Sequence, residues 1–129
     1  MINSLNVIQV PPHTTAPRRV DVVLIKPSKY DDDGYVIRYR KGFLPSNTLA
    51  CLAALTEEVR RKGTLGAGLE WNIELLDDTV QDIPVGAIAR RGRRPGTRMI
   101  VGLAGVQTNQ FPRAAAAAGK ITTSSTRER

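Results

Sequence analysis

Two short runs of aliphatic residues, each followed directly by polar and small residues, constrain the fold of this chain more than any other feature. The first run, Val20–Ile25, leads into a connection of 20 residues, 26–45. The second, Met99–Leu103, leads into the polar stretch 105–110. Such runs are typical of strands in a parallel sheet. Loops that leave the carboxyl ends of neighbouring parallel strands form the ligand crevice of an open α/β sheet, so the sequence predicts part of such a crevice.

Hydrophobic patterning and turn signals predict three strands and three helices. Strands are expected over 20–25, 69–76 and 99–103, and helices over 46–62, over 84–91 and from Asn109 onward. In the first helix, Ser46 or Asn47 provides the cap and Gly63 the end. Its buried face is expected to consist of four residues, which are Leu49, Leu52, Leu55 and Val59.

Strands that alternate with helices in short units indicate a parallel sheet with right-handed crossovers. The expected fold class is therefore α/β, an incomplete flavodoxin-like (Rossmann-like) three-layer sandwich with parallel strands in the order 2-1-3. Strands four and five are missing from the pattern, which predicts an interrupted domain. We divide the chain into a flexible leader (1–18, in which 5–10 could form a short edge strand), a partial domain (19–113) and a low-complexity polar tail (114–129). The third helix has almost no bulky apolar residues with which to pack.

Length and composition limit the classes of protein. A chain of 129 residues with 41% hydrophobic residues is large enough for one domain. No apolar run approaches the ~20 residues of a membrane span, and residues 1–19 lack the apolar core of a secretory signal, so we expect a cytoplasmic protein with no membrane partner. The single cysteine, Cys51, excludes an iron–sulfur cluster held by this chain alone and is expected to be buried in the first helix.

Motifs for common chemistries are absent or incomplete. No Gly-x-Gly-x-x-Gly follows the first strand, which argues against a dinucleotide-dependent enzyme. His13, the only histidine, lies in the predicted leader, so no Ser/His/Asp arrangement is expected. Asp31-Asp32-Asp33 could bind a hard cation, but the adjacent Gly34 favours a solvated turn. We therefore predict no catalytic residue and no metal ligands.

The formal net charge is +7, and much of it lies in one run that contains Arg90, Arg91, Arg93, Arg94 and Arg98. Gly92 and Pro95-Gly96 indicate a turn there, and no aromatic residue is interleaved for base stacking. A solvated helix end is the favoured interpretation, and a nucleic-acid partner is not expected. The alternative is a small basic adaptor that binds nucleic acid or an acidic protein through Arg90–Arg98.

Three stretches carry a resemblance to a known family. The stretches are 26–39 (KPSKYDDDGYVIRY), 42–52 (GFLPSNTLACL) and 106–113 (VQTNQFPR). They resemble the N-terminal cobalamin-binding domain of cobalamin-dependent radical SAM proteins, over roughly residues 20–113. The resemblance implies a flavodoxin-like domain that holds a corrin over the carboxyl ends of its strands. It also implies, in the intact relative, a radical SAM barrel with a three-cysteine cluster motif, which this chain lacks.

The resemblance places three groups of residues against the corrin. They are Pro27, Ser28 and Tyr30 after strand one, then Leu44, Pro45, Ser46 and Asn47 at the start of helix one, and finally Val106, Gln107, Thr108 and Asn109 after strand three. No histidine is placed to coordinate cobalt. The expected function is that of a truncated cobalamin-binding-type domain with weak corrinoid binding and no catalysis by itself.

Overall fold

The computed structural model describes residues 16–40 and 46–126. The three strands form one parallel sheet in the order β2-β1-β3, so the predicted α/β class and strand order are confirmed. The sheet is consistent with an incomplete flavodoxin-like fold. The elements in chain order are β1 (Arg19–Lys26), α1 (Asn47–Lys62), β2 (Glu70–Asp77), α2 (Val85–Gly92), β3 (Thr97–Leu103) and α3 (Phe111–Thr126).

The central strand β1 is buried on both faces, which explains its nearly continuous apolar sequence. Val22 and Leu24 pack with Leu49 of α1 on one face of the sheet. Val23 and Ile25 pack with Ile88 and other residues on the opposite face, which α2 and α3 cover. The three layers are therefore α1, the sheet, and the α2–α3 pair.

Helix α1 begins and ends as its sequence predicts. The Ser46 side chain accepts a hydrogen bond from the Leu49 backbone N–H at 3.3 Å, and Gly63 adopts a left-handed φ of 63°. On its exposed surface, Glu58 and Lys62 form an i,i+4 pair at 2.8 Å. Glu57 pairs with Arg60, three residues further along the helix.

The predicted buried face of α1 is only partly correct. Leu49 is buried, but Leu55 is 60% exposed and Val59 is 38% exposed. Helix α1 packs over β1 and β2, and the flank that carries Leu55 and Val59 has little of the described chain against it. The prediction that Cys51 is buried is also wrong, since its side chain is exposed. Periodicity identifies the apolar stripe, and the number of neighbouring elements decides how much of it is covered.

Helix α3 packs against α2 despite its low-complexity sequence. Ala114, Ala117 and Ile121 are buried, and Ile121 joins the apolar cluster beneath β1. Small side chains allow two helices to approach closely, so a bulky apolar face is not needed. The boundary predicted after Arg113 stays a prediction, but α3 runs across it to Thr126. The predicted leader falls mostly on residues 1–15, outside the described residues.

None of the described helices combines the length and the apolar character needed to cross a bilayer.

Candidate functional site

The loop after β1 folds back over the carboxyl end of the sheet. Pro27 and Ser28 are buried at its start. The Ser28 hydroxyl donates a hydrogen bond to the Ile37 carbonyl, and the Ile37 N–H donates to the Lys29 carbonyl at 2.9 Å. Tyr30 forms an isolated antiparallel bridge with Val36. This part of the long connection is therefore an ordered structure built on β1.

Gln110 joins the loop after β3 to the loop after β1. Its Oε1 accepts a hydrogen bond from the Gln107 backbone N–H at 2.9 Å, and its Nε2 donates to the Pro27 carbonyl at 3.0 Å. One side chain thus fixes the spacing of the two loops. The start of α1 lies beside these loops. Gly105 follows β3, and a Cβ atom built at this glycine would lie only 3.7 Å from the side chain of Thr48 in α1.

A cavity of about 200 Å³ lies between the two loops. Of the residues predicted from the sequence, Ser28, Gln107 and Asn109 line it. The other lining residues were not predicted from the sequence; they are Lys26, Lys29, Ile37, Tyr39, Thr79 and Gln110. Gln110 directly follows the predicted stretch and could have been included. Tyr39 and Thr79 belong to segments that are distant in the sequence. The Tyr39 N–H donates a hydrogen bond to the Thr79 carbonyl at 2.7 Å and joins them.

The other predicted residues that the structure describes do not line this cavity. Tyr30 is half-buried, and Ser46 caps α1. Pro27 contributes the carbonyl that Gln110 binds. Three residues are exposed at this end of the sheet, namely Asn47, Val106 and Thr108. Two more, Leu44 and Pro45, lie outside the described residues.

A buried carboxylate, Asp78, lies directly beneath the crevice. Arg113 of α3 donates two hydrogen bonds to it, at 2.7 and 2.8 Å. The Ser28 backbone N–H donates a third at 3.0 Å, and Arg38 a fourth at 3.2 Å. Arg38 also pairs with the exposed Asp82 at 2.9 Å. The carboxylate therefore connects the loop after β1, the end of β2 and the start of α3.

The electrostatics of this cluster favour its charged form. Burial by itself would raise the pKa of Asp78, but the hydrogen bonds from Arg113, Ser28 and Arg38 lower that pKa below its usual value. The hydrogen bond to Asp78 raises the pKa of Arg113, and Tyr30 adds to this effect. Asp78 is consequently an ionised structural anchor at neutral pH, poorly suited to accept a proton from a ligand.

The fit of a corrin to these residues is partial. Side-chain amides and hydroxyls suit the amide-bearing rim of a corrin, but the cavity of about 200 Å³ is below the usual ~300–1,000 Å³ of small-molecule sites.

Within 16–40 and 46–126, no group of three His, Cys, Asp or Glu residues is placed to hold a metal ion. Asp31 acts as a turn residue, since its Oδ1 accepts hydrogen bonds from the N–H groups of Asp33 and Tyr35, at 3.0 and 2.8 Å.

Comparisons with protein-family models, with curated proteins and with solved structures found no match for this chain.

Proposed function

We propose that this chain is a cobalamin-binding-type domain related to radical SAM proteins, which binds a corrinoid weakly and catalyses no reaction by itself. The supporting observation is the pair of loops at the carboxyl ends of β1 and β3, which Gln110 joins around one polar cavity. Open α/β sheets bind ligands at this position. The choice of a corrinoid as the ligand rests on the sequence resemblance over residues 20–113.

The residues of the crevice would hold the rim of the corrinoid through hydrogen bonds. Gln107, Thr108 and Asn109 are exposed and have amide or hydroxyl groups to offer, and Asn47 lies at the start of α1. Each such bond contributes only about 0.5–1.5 kcal/mol net. Because the cavity encloses only a small part of a corrin, we expect micromolar or weaker affinity. A bound corrinoid would supply cobalt chemistry, and the residues of this chain would bind and orient it.

The charged groups near the crevice support a binding role rather than a catalytic one. Asp78 is held as a carboxylate by Arg113 and Arg38, and Lys26 lies 4.0 Å from Asp77. In the intact relative, a radical SAM barrel would be the partner that performs the reaction.

Titration of the purified chain with hydroxocobalamin tests this proposal. We expect weak saturable binding, without the spectrum of a cobalt–histidine bond, and a loss of affinity of about 2- to 10-fold in Asn109→Ala, which equals one hydrogen bond. Ser46→Ala should weaken binding as well, since it removes the cap that positions the start of α1. The control is Thr64→Ala, an exposed change in the turn after α1 at the opposite end of the sheet.

Tight binding with a cobalt–histidine bond would contradict the mechanism. Equal affinity of the wild-type chain and both crevice variants would contradict the site.

A further inference from the structure

The end of the molecule opposite the crevice, where the strands begin, is strongly basic. Four exposed arginines lie there, and we call their surface the amino-end face. They come from four different segments, namely the residue before β1, the end of α1, the turn after α2, and β3. These residues are Arg18, Arg61, Arg94 and Arg98. The concentration of charge is therefore produced by the fold and not only by the arginine-rich run of the sequence.

Acidic residues neutralise only part of the amino-end face. Among the described residues, none of its four arginines forms a salt bridge, although Arg61 interacts electrostatically with Glu57. The neighbouring acids form their salt bridges with other bases. Glu70 pairs with Arg19 at 2.7 Å. The other pairs join Glu57 to Arg60, Glu58 to Lys62, and both Asp21 and Glu74 to Arg91.

The structure also separates the arginines of the run by role. The Arg91 Nε donates a hydrogen bond to the buried Asp21 at 2.9 Å, and Arg93 donates to the Ser124 carbonyl of α3. These two side chains connect elements of the fold. Arg94 and Arg98 are exposed, so they remain available at the surface. Arg90 is exposed too, but its guanidinium lies back beside Gly86 at the start of α2.

An open cleft of about 980 Å³ runs across the amino-end face. Its lining includes Arg18, Arg94 and Gly96, and also the ion pair between Arg19 and Glu70. Arg98 follows Gly96 by two residues at the start of β3. The cleft therefore combines an accessible concave surface with guanidinium groups at its walls.

We propose that the amino-end face binds duplex nucleic acid through the phosphate backbone. Its four exposed arginines carry planar groups that donate two parallel hydrogen bonds to phosphate oxygens. The exposed Lys62 at this end pairs with Glu58. The exposed aromatics of the described chain, which are Tyr35, Tyr39 and Phe111, lie near the opposite end of the sheet, so stacking on single-stranded bases has no support here. A protein partner would need buried apolar anchors, and Leu65 is the only strongly exposed large hydrophobic residue in the described turns at this end.

Fluorescence anisotropy with a labelled DNA duplex of about 20 base pairs tests the proposal over about 50–200 mM salt. We expect a dissociation constant of about 10⁻⁴–10⁻⁶ M near physiological salt, and affinity that falls steeply as salt rises. Arg94→Ala and Arg98→Ala should each weaken binding and reduce the log–log salt slope by about 0.9 per lost phosphate contact. Arg40→Ala is the matched control, because Arg40 is an exposed arginine on the loop at the crevice end.

Absence of duplex binding at the lowest salt would overturn the proposal, as would an equal loss in Arg40→Ala. Stronger binding to a polyglutamate peptide or to phosphatidylserine vesicles would overturn it in favour of another anionic partner. Circular dichroism of each variant establishes that the fold is retained. The result is independent of corrinoid binding, since the two sites lie at opposite ends of the sheet.

Discussion

Asp78 is the residue on which most of the crevice depends. Its side chain is 1% exposed and accepts hydrogen bonds from three residues in two segments, the loop after β1 and α3. A buried charge is tolerated only when its partners replace the lost hydration. Two arginines and one backbone N–H do so here, and they hold the loop after β1 against α3.

We expect Asp78→Asn to lower the free energy of unfolding by about 3–5 kcal/mol, because it leaves the buried Arg113 guanidinium without its counter-charge. Chemical denaturation measures this change. Asp82→Asn is the control, since Asp82 also pairs with Arg38 but its side chain is 89% exposed. A loss of stability in Asp78→Asn no larger than that in the control would contradict the role assigned to Asp78.

The same residue sets a pH dependence of known sign. Because the pKa of Asp78 is lowered in the folded state, its stabilisation is fully present above the unfolded-state pKa of about 3.9 and is lost as the pH falls through the folded-state pKa. Stability of the wild-type chain should therefore decline below about pH 4, and the decline should be shallower in Asp78→Asn. If the stability of the two proteins declined in parallel as the pH falls, Asp78 would not be the source of the pH dependence.

At the scale of elements, α3 is the least expected feature. Its sequence carries five consecutive alanines, 114–118, and few large apolar residues. In the structure it lies against α2, and Arg113 near its start binds Asp78. Close contact through alanines and one ion pair thus replace the bulky apolar stripe of an ordinary surface helix.

Replacement of the largest buried apolar side chain of α3 tests whether this helix belongs to the folded unit. Ile121→Ala should cost about 2–5 kcal/mol of unfolding free energy, the usual range for such a truncation in a core. Thr123→Ala, an exposed position two residues further along the helix, should change it by less than about 0.5 kcal/mol. If both variants unfold at the same denaturant concentration as the wild type, α3 does not pack as described.

For the whole molecule, the sheet has few strands and two edges without a partner strand among the described residues. Ile100 of β3 remains 45% exposed and Leu75 of β2 remains 44% exposed. Small domains bury a smaller fraction of their surface than large ones, and open edges add no hydrogen bonds.

We therefore expect marginal stability, with a thermal midpoint within or below the ~45–65 °C typical of mesophilic domains. Differential scanning calorimetry measures it. A cooperative transition far above that range would show that the chain gains stabilisation that the three-stranded sheet does not explain.

The amino-acid sequence by itself determined the elements and their order. The β-branched run of β1, the Ser46 cap and the Gly63 end of α1 are local signals, and each predicts the structure found. Parallel pairing in the order 2-1-3 follows from short alternating units and the handedness of crossovers. Ser28, Gln107 and Asn109 could be placed near one another because strand ends meet at one edge of a sheet.

Only the tertiary structure decided which of these residues are buried and which charges are paired. Leu55 and Cys51 lie on flanks of α1 that the few described elements leave exposed. The spacing of apolar residues along a helix does not indicate how many other elements pack against it. Likewise, Asp78 and Arg113 are separated by 35 positions in the sequence. Their ion pair forms because the end of β2 lies beside the start of α3 in space. That proximity depends on the packing of the whole chain and not on local spacing.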